Sequence, residues 1–170
     1  MTPRALGCTI ALAVFVADQA AKVAVLSSFG QSAREVGHLA PFLDLTLRWN
    51  RGISFSLFAH DSATSRIVLL LMTLAAIALL AWWLWRCHSR LAAAGLGAVI
   101  GGALGNAADR IIHGAVVDFL DLHAFGRHFF VFNFADTAIN VGVVFLLIDL
   151  LFVSRAANSR NPTVPPPGVR

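Results

Sequence analysis

Two carboxylic acids stand where membrane-depth sequence is expected near the end of the chain: Asp118 in V-V-D-F and Asp136 in F-N-F-A-D, the latter opening a long apolar run. An ionisable group in or beside a membrane span is costly, and its presence there points to function. Two carboxyls meeting at one place are the ingredients of an aspartyl hydrolase. Neighbouring acids cannot both ionise cheaply, so one keeps its proton while the other serves as a base. Asp136 also admits a structural reading, because a carboxylate at a helix start is favoured by the helix dipole and caps the first turn. Capping accounts neither for Asp118 nor for Asn133, three residues before Asp136.

Other polar groups fall at depths where apolar residues are the rule. Asp18 and Lys22 are four apart, share a helix face and run acid before base, the favourable order. At 1.5 Å per residue Asp18 lies about 18 Å along the first span. The pair either neutralises itself so that the helix inserts, or supports a polar site between helices, with Gln19 as a third polar group beside it. The run Gly101 to Arg110 reads G-G-A-L-G-N-A-A-D-R. Gly97, Gly101 and Gly105 recur at intervals of four and would let helices approach closely in lipid. Asn106, Asp109 and Arg110 follow. Adjacent residues do not face each other on a helix, so Asp109 and Arg110 each need a partner elsewhere. Asn50-Arg51-Gly52-Ile53-Ser54-Phe55 closes a strand-like stretch and can be a turn whose Gly takes an unusual backbone angle.

These groups need elements to hold them, and composition says which. The chain has 170 residues, 58% apolar and 13% charged, with a mean hydropathy of +0.74. Soluble domains are roughly half apolar and a quarter charged, so the chain reads as an integral membrane protein. Net charge +4 comes from dispersed Lys and Arg, not from a basic patch, which argues against nucleic-acid binding. Cys8 and Cys87 have no metal or redox spacing. About 20 apolar residues cross a bilayer, and four segments qualify: about 6–26, 67–85, 91–108 and 136–153. The first contains Asp18, Gln19 and Lys22 and reads as a retained span. The second ends in Trp82, Trp83 and Trp85, an interfacial belt. Asp149, inside the fourth, is expected to reach water near the far interface.

Segments of about 42–58 and 116–134 alternate like half-buried strands, with Gly126 as a turn, and predict a small sheet on the membrane surface. Arg4, Arg86, Arg90, Arg155, Arg160 and Arg170 lie on the side of the short second loop, at higher density than the seven basic residues from Lys22 to Arg127. By that bias both termini are cytoplasmic and the long connections face outward. Residues 1–153 form one membrane domain, and the Pro-rich 154–170 a disordered tail.

Taken together, D-Q-A-A-K (Asp18 to Lys22), N-R-G-I-S-F (Asn50 to Phe55), G-G-A-L-G-N-A-A-D-R (Gly101 to Arg110), V-V-D-F (Val116 to Phe119) and F-N-F-A-D (Phe132 to Asp136) resemble bacterial lipoprotein signal peptidase, signal peptidase II. All five motifs occur in order and span nearly the whole chain except its tail. The resemblance implies a mainly α integral membrane protein, with four transmembrane helices and a small outward-facing β-cradle. It implies Asp118 and Asp136 as the catalytic dyad. It implies that Asp18, Lys22, Asn50, Gly52, Gly102, Gly105, Asn106, Asp109, Arg110, Asn133 and Ala135 support the dyad or the substrate. The implied substrate is a prolipoprotein cut before a Cys that carries diacylglycerol, and the implied inhibitors are globomycin-type cyclic peptides. The setting would be the bacterial cytoplasmic (inner) membrane, among its lipids, with a monomer that needs no cofactor or metal.

Rival readings are weaker. A small ion- or proton-coupled transporter would place Asp, Lys and Arg between helices, but usually shows repeats, and none is present. A serine peptidase pairing Lys22 with Ser27, Ser28 or Ser54 lacks G-x-S-x-G, and Ser27 is off the face of Lys22. A zinc peptidase lacks H-E-x-x-H; the six His make no ligand spacing, and His123 and His128 read as interfacial.

Overall fold

The computed structural model describes residues 1–29, 34–52 and 63–159. Four long helices and two β-hairpins follow in the order α1 (Pro3–Phe29), β1 (Arg34–Ala40), β2 (Leu43–Asn50), α2 (Ala63–Arg86), α3 (Arg90–Ile112), β3 (Val116–Ala124), β4 (Arg127–Phe132) and α4 (Phe134–Ser159). All four helices are long and apolar enough to cross a membrane. They run past the expected spans at both ends. The last continues to Ser159, beyond position 153, where a disordered tail was expected to begin. Residues 160–170, and 53–58 of the first β-like segment, lie outside the described residues.

α3 is the hub. Of its apolar span 67% is buried, against 6% for α2. Its small residues set that position by letting backbones touch. A Cβ on Gly101 would stand 2.5 Å from the Ala11 carbonyl of α1, and one on Gly95 would stand 2.7 Å from the Gly142 carbonyl of α4. Lipid offers helices no hydrophobic drive toward each other, so this close packing is what draws them together. The outward faces carry Leu71, Met72 and Leu79 of α2 and Val144, Leu147 and Leu151 of α4, all exposed as lipid-facing side chains are.

The two ends of the bundle differ. At one end residues 87–89 link α2 to α3 directly. Ser89 caps α3 through the Ala92 amide (3.2 Å) and donates to Asp149 of α4. Asp149 therefore has a protein partner, where the sequence suggested one in water. Arg4 at the start of α1 lies over the Trp85 ring, 5.2 Å from its centre, and Arg86 lies over Trp82 at 5.0 Å. At the other end stands one antiparallel sheet in the order β1-β2-β3-β4. Leu47, Val117 and Phe119 pack it onto Val25 near the end of α1. The hairpin turns at Phe125 and Gly126, both at positive φ (52° and 71°), as the Gly126 signal predicted. β1 had no counterpart in the sequence reading.

Candidate active site

The site forms where the sheet meets the helix ends, and it is built in two linked layers. The lower layer is ionic. Lys22 Nζ, 2% exposed, lies 2.8 Å from Asp18 Oδ2 and 2.8 Å from Asp109 Oδ2, and donates to Asn106 Oδ1 at 3.1 Å. Three acceptors match the three protons of an ammonium, the condition under which a buried charge is tolerated. Asp109, which needed a partner away from Arg110, thus finds Lys22. It also accepts from Gln19 Nε2 (3.1 Å) and from the Val117 amide (3.0 Å), which ties β3 to α3. Asp18 Oδ1 accepts from the Ala135 amide at 2.9 Å and so joins α1 to the first turn of α4. Asp18 and Lys22 thus neutralise each other and also bond to Asn106 of α3 and Ala135 of α4. Gly105 makes room for them, since a Cβ there would overlap the Asp18 carboxylate. Gly102 does the same for α4, its Cβ position lying 2.5 Å from the carbonyl of fully buried Ala135.

The upper layer holds Asp118 and Asp136. Asn133 is the residue before α4. Its Oδ1 accepts from the Asp136 amide (3.0 Å), while Asp136 Oδ2 accepts from the Asn133 amide (3.3 Å). This is a reciprocal capping box. Asp136 is therefore a helix cap through one oxygen. The other, Oδ1, accepts from Asn106 Nδ2 at 2.8 Å. Asn133 Nδ2 donates both to Asp118 Oδ1 (2.7 Å) and to Asn106 Oδ1 (3.1 Å). Asn50 at the end of β2 donates to Asp118 Oδ2 at 3.0 Å, and its own Oδ1 accepts from the Gly52 amide at 2.9 Å, with Gly52 at φ 80°. Asp118 and Asp136, distant in sequence, thus share Asn133 as a hydrogen-bond neighbour. Arg110 donates to the Asn106 carbonyl (3.3 Å) and feels the charges of Asp136, Asp118 and Asp109.

Burial pushes the Asp118 carboxyl up from 3.8 to about 6. The hydrogen bond from Asn50 opposes this, the charge of Asp136 adds to it, and the Asn133 bond and Lys22 oppose it further. Beside Asp136 an open groove of about 530 Å³ is lined by Phe130, Phe132, Thr137, Ile139, Asn140 and Val141, a lining the sequence reading did not single out. Its signal was the aromatic run 129–132 facing the polar first turn of α4. Ile53, Ser54 and Phe55 of the second motif lie outside the described residues, as does the rival nucleophile Ser54.

A membrane-spanning helical bundle that carries a linked pair of aspartates at one end defines the class: a multi-pass membrane protein with the make-up of an aspartic peptidase. The family follows from comparison. The family model described as "Signal peptidase (SPase) II" matches residues 10–152, and the chain belongs to that family. It is similar to the "Lipoprotein signal peptidase" of Beijerinckia indica subsp. indica, 48% identical over 162 residues, covering 95% of this chain and 96% of that one. It is similar also to the protein of the same name from Methylocella silvestris, 45% identical over 159 residues, covering 94% and 93%. A solved structure described as a bacterial membrane enzyme superposes with a TM-score of 0.73 at 26% identity, covering 85% of this chain and 92% of that one. Nothing in these comparisons supports the transporter reading.

Proposed function

We propose that Asp118 and Asp136 are the catalytic pair with which this peptidase removes signal peptides from prolipoproteins, cutting before a Cys that carries diacylglycerol. One observation supports the assignment of the pair: both carboxyls are bonded to the same residue, Asn133, Asp118 through its side-chain amide and Asp136 through its backbone amide. Charge supports it. Asp18, Asp109, Asp118 and Asp136 are four acids facing two cations, Lys22 and Arg110, so one retained proton reduces the imbalance. Asp118, near 6, is poised to exchange a proton close to neutral pH.

In the reaction the ionised aspartate takes a proton from a water molecule whose oxygen bonds to the scissile carbonyl carbon. The protonated aspartate donates to the developing oxyanion. As the tetrahedral intermediate collapses, the C–N bond breaks and the amine leaves with a proton from the pair. The titration belongs to both groups jointly. Asn50, Asn106 and Asn133 hold the carboxyls in place. Asp18, Lys22 and Asp109 brace the helices beneath them, and Gly52, Gly102, Gly105 and Ala135 provide the close packing this needs. Arg110 steadies the pair or a lipid head group.

The groove beside Asp136 suits the substrate, whose lipid chains would lie along its aromatic and aliphatic wall. The excess of Arg near the 87–89 link favours that end, with both termini, on the cytoplasmic side of the inner membrane, and the site on the outward side. There water and an acyl-anchored Cys can both arrive. The family relationship supports globomycin-type cyclic peptides as inhibitors.

The test is to incubate the purified protein with lipidated and unlipidated forms of one precursor. Cleavage is expected of the lipidated form alone, and Asp118→Asn and Asp136→Asn should each lower turnover by about 10²–10⁴-fold in a folded protein. Near-wild-type turnover by either variant would remove its aspartate from the mechanism.

A further inference from the structure

Toward the end of β3 away from Asp118, three adjacent strands each present a ligand-type side chain at one spot. His38 of β1 pairs across the ladder with Asp44 of β2, and His123 of β3 comes alongside, its amide bonded to the Phe42 carbonyl at 3.0 Å. His38 Nδ1 lies 2.6 Å and His123 Nε2 3.1 Å from the same oxygen, Asp44 Oδ1. The three ligand atoms all lie within 4.8 Å of one another. Asp44 is 2% exposed, while the His38 side chain is 78% exposed and opens the spot to solvent.

Hydrogen bonding alone leaves this arrangement incomplete. His123 Nε2 is buried and, although close to Asp44, is not aligned for a hydrogen bond; it has no hydrogen-bond partner among the described residues. The neighbouring Asp121 sits directly opposite Asp44 in the β2–β3 ladder, like charge facing like, which is unfavourable without a cation. Its Oδ2 takes the His128 ring at 2.9 Å, but its buried Oδ1 has no hydrogen-bond partner among the described residues. Two buried polar atoms and two facing carboxylates, set among the imidazoles of His38, His123 and His128, suit a shared positive centre.

We propose that His38, Asp44 and His123 form a binding site for a divalent transition-metal ion, best suited to Zn²⁺, that clips the edge strand β1 to β3 across β2. Two imidazole nitrogens and one carboxylate oxygen are a ligand set of this class, with water at the fourth position. Ligands at 2.0–2.1 Å in a tetrahedron stand about 3.3 Å apart. His123 and Asp44 are already near this spacing, and the pair at 2.6 Å must open by about 0.7 Å. Exposed His38 can make that movement. The role is structural, separate from the peptidase chemistry and independent of it.

The experiment uses the full-length protein in detergent, stripped with chelator, and titrates Zn²⁺ by calorimetry and Co²⁺ by visible absorption. Wild type is expected to bind one ion per chain and to unfold at a higher temperature when Zn²⁺ is present. Losing even an outer-shell partner of a metal typically costs 10–100-fold in affinity. His38→Gln and His123→Gln should therefore each weaken binding by at least about tenfold and abolish the thermal shift, while His88→Gln, at the opposite end of the bundle, leaves both intact. Because His38 is exposed, its variant keeps the fold and decides the matter alone should His123→Gln unfold. Cleavage by His38→Gln should match that of the wild type with or without chelator. Absence of stoichiometric binding, or binding and thermal shift unchanged in His38→Gln, overturns the proposal.

Discussion

Replacing Asn50 by Ala removes a donor from Asp118 without touching the packing beneath it. Asn50 is exposed, and its Nδ2 lies 3.0 Å from Asp118 Oδ2. A hydrogen bond to a charged group contributes about 1.5–3 kcal/mol, and one unit of pKa corresponds to about 1.4 kcal/mol. Water partly replaces an exposed donor, so the lower end applies, and the Asp118 carboxyl should rise by about one unit, from about 6 to about 7. The assay is kcat/KM for a lipidated precursor across pH, which reports the free enzyme. Wild type should show a limb near pH 6, and the variant the same limb displaced upward by about one unit, with the opposite limb in place.

Stability gives a second readout, with a definite sign. A carboxyl raised above its unfolded value binds more protons in the folded state, so this contribution is fully present below about pH 4 and is lost as pH rises to about 6. In the variant the loss continues to about pH 7. The two proteins should therefore match at pH 5 and differ by about 1.4 kcal/mol at pH 8. A limb that stays put or moves down, or a stability gap equal at both pH values, refutes the account of how Asp118 is tuned.

Lys22→Met leaves Asp18 and Asp109 buried without their cation, and should cost about 3–5 kcal/mol of stability, read as a large fall in thermal midpoint in detergent; a loss below about 1 kcal/mol would show that the triad is not a brace. Gly102→Ala places a methyl 2.5 Å from the Ala135 carbonyl, so α4 must shift; turnover should fall by more than about tenfold, since small displacements at a reacting centre are costly, while Gly126→Ala on the open hairpin turn should leave turnover unchanged. Arg110→Lys keeps charge near both aspartates but loses the guanidinium fork; kcat should drop by about tenfold with the fold intact, and wild-type kcat would mean that charge alone matters.

Features that repeat along one element were legible in the sequence. The i, i+4 pairing of Asp18 and Lys22, the Gly stripe of α3 and the cap at Asp136 each depend on spacing within a helix, and each appears in the structure. The partners of Asp109 were not legible, because Lys22 and the Val117 amide arrive from other elements. β1 was hidden because R-E-V-G-H-L-A mixes charge with a glycine and alternates poorly, and its register shifts at Glu35/Gly37 and His38/Ala40 break the period further. For the same reason the six histidines showed no ligand pattern: His38, Asp44 and His123 are neighbours only across three strands. Asp149 was placed in water because nothing in sequence joins it to Ser89.

Three side-chain amides donate to the two aspartates: Asn50 and Asn133 to Asp118, and Asn106 to Asp136. An amide neither gains nor loses a proton at any acidity a bacterium meets. The hydrogen bonds these amides give therefore keep one pattern from acid to alkaline surroundings, and changes in external acidity act on the site through its ionisable groups, the two aspartates among them.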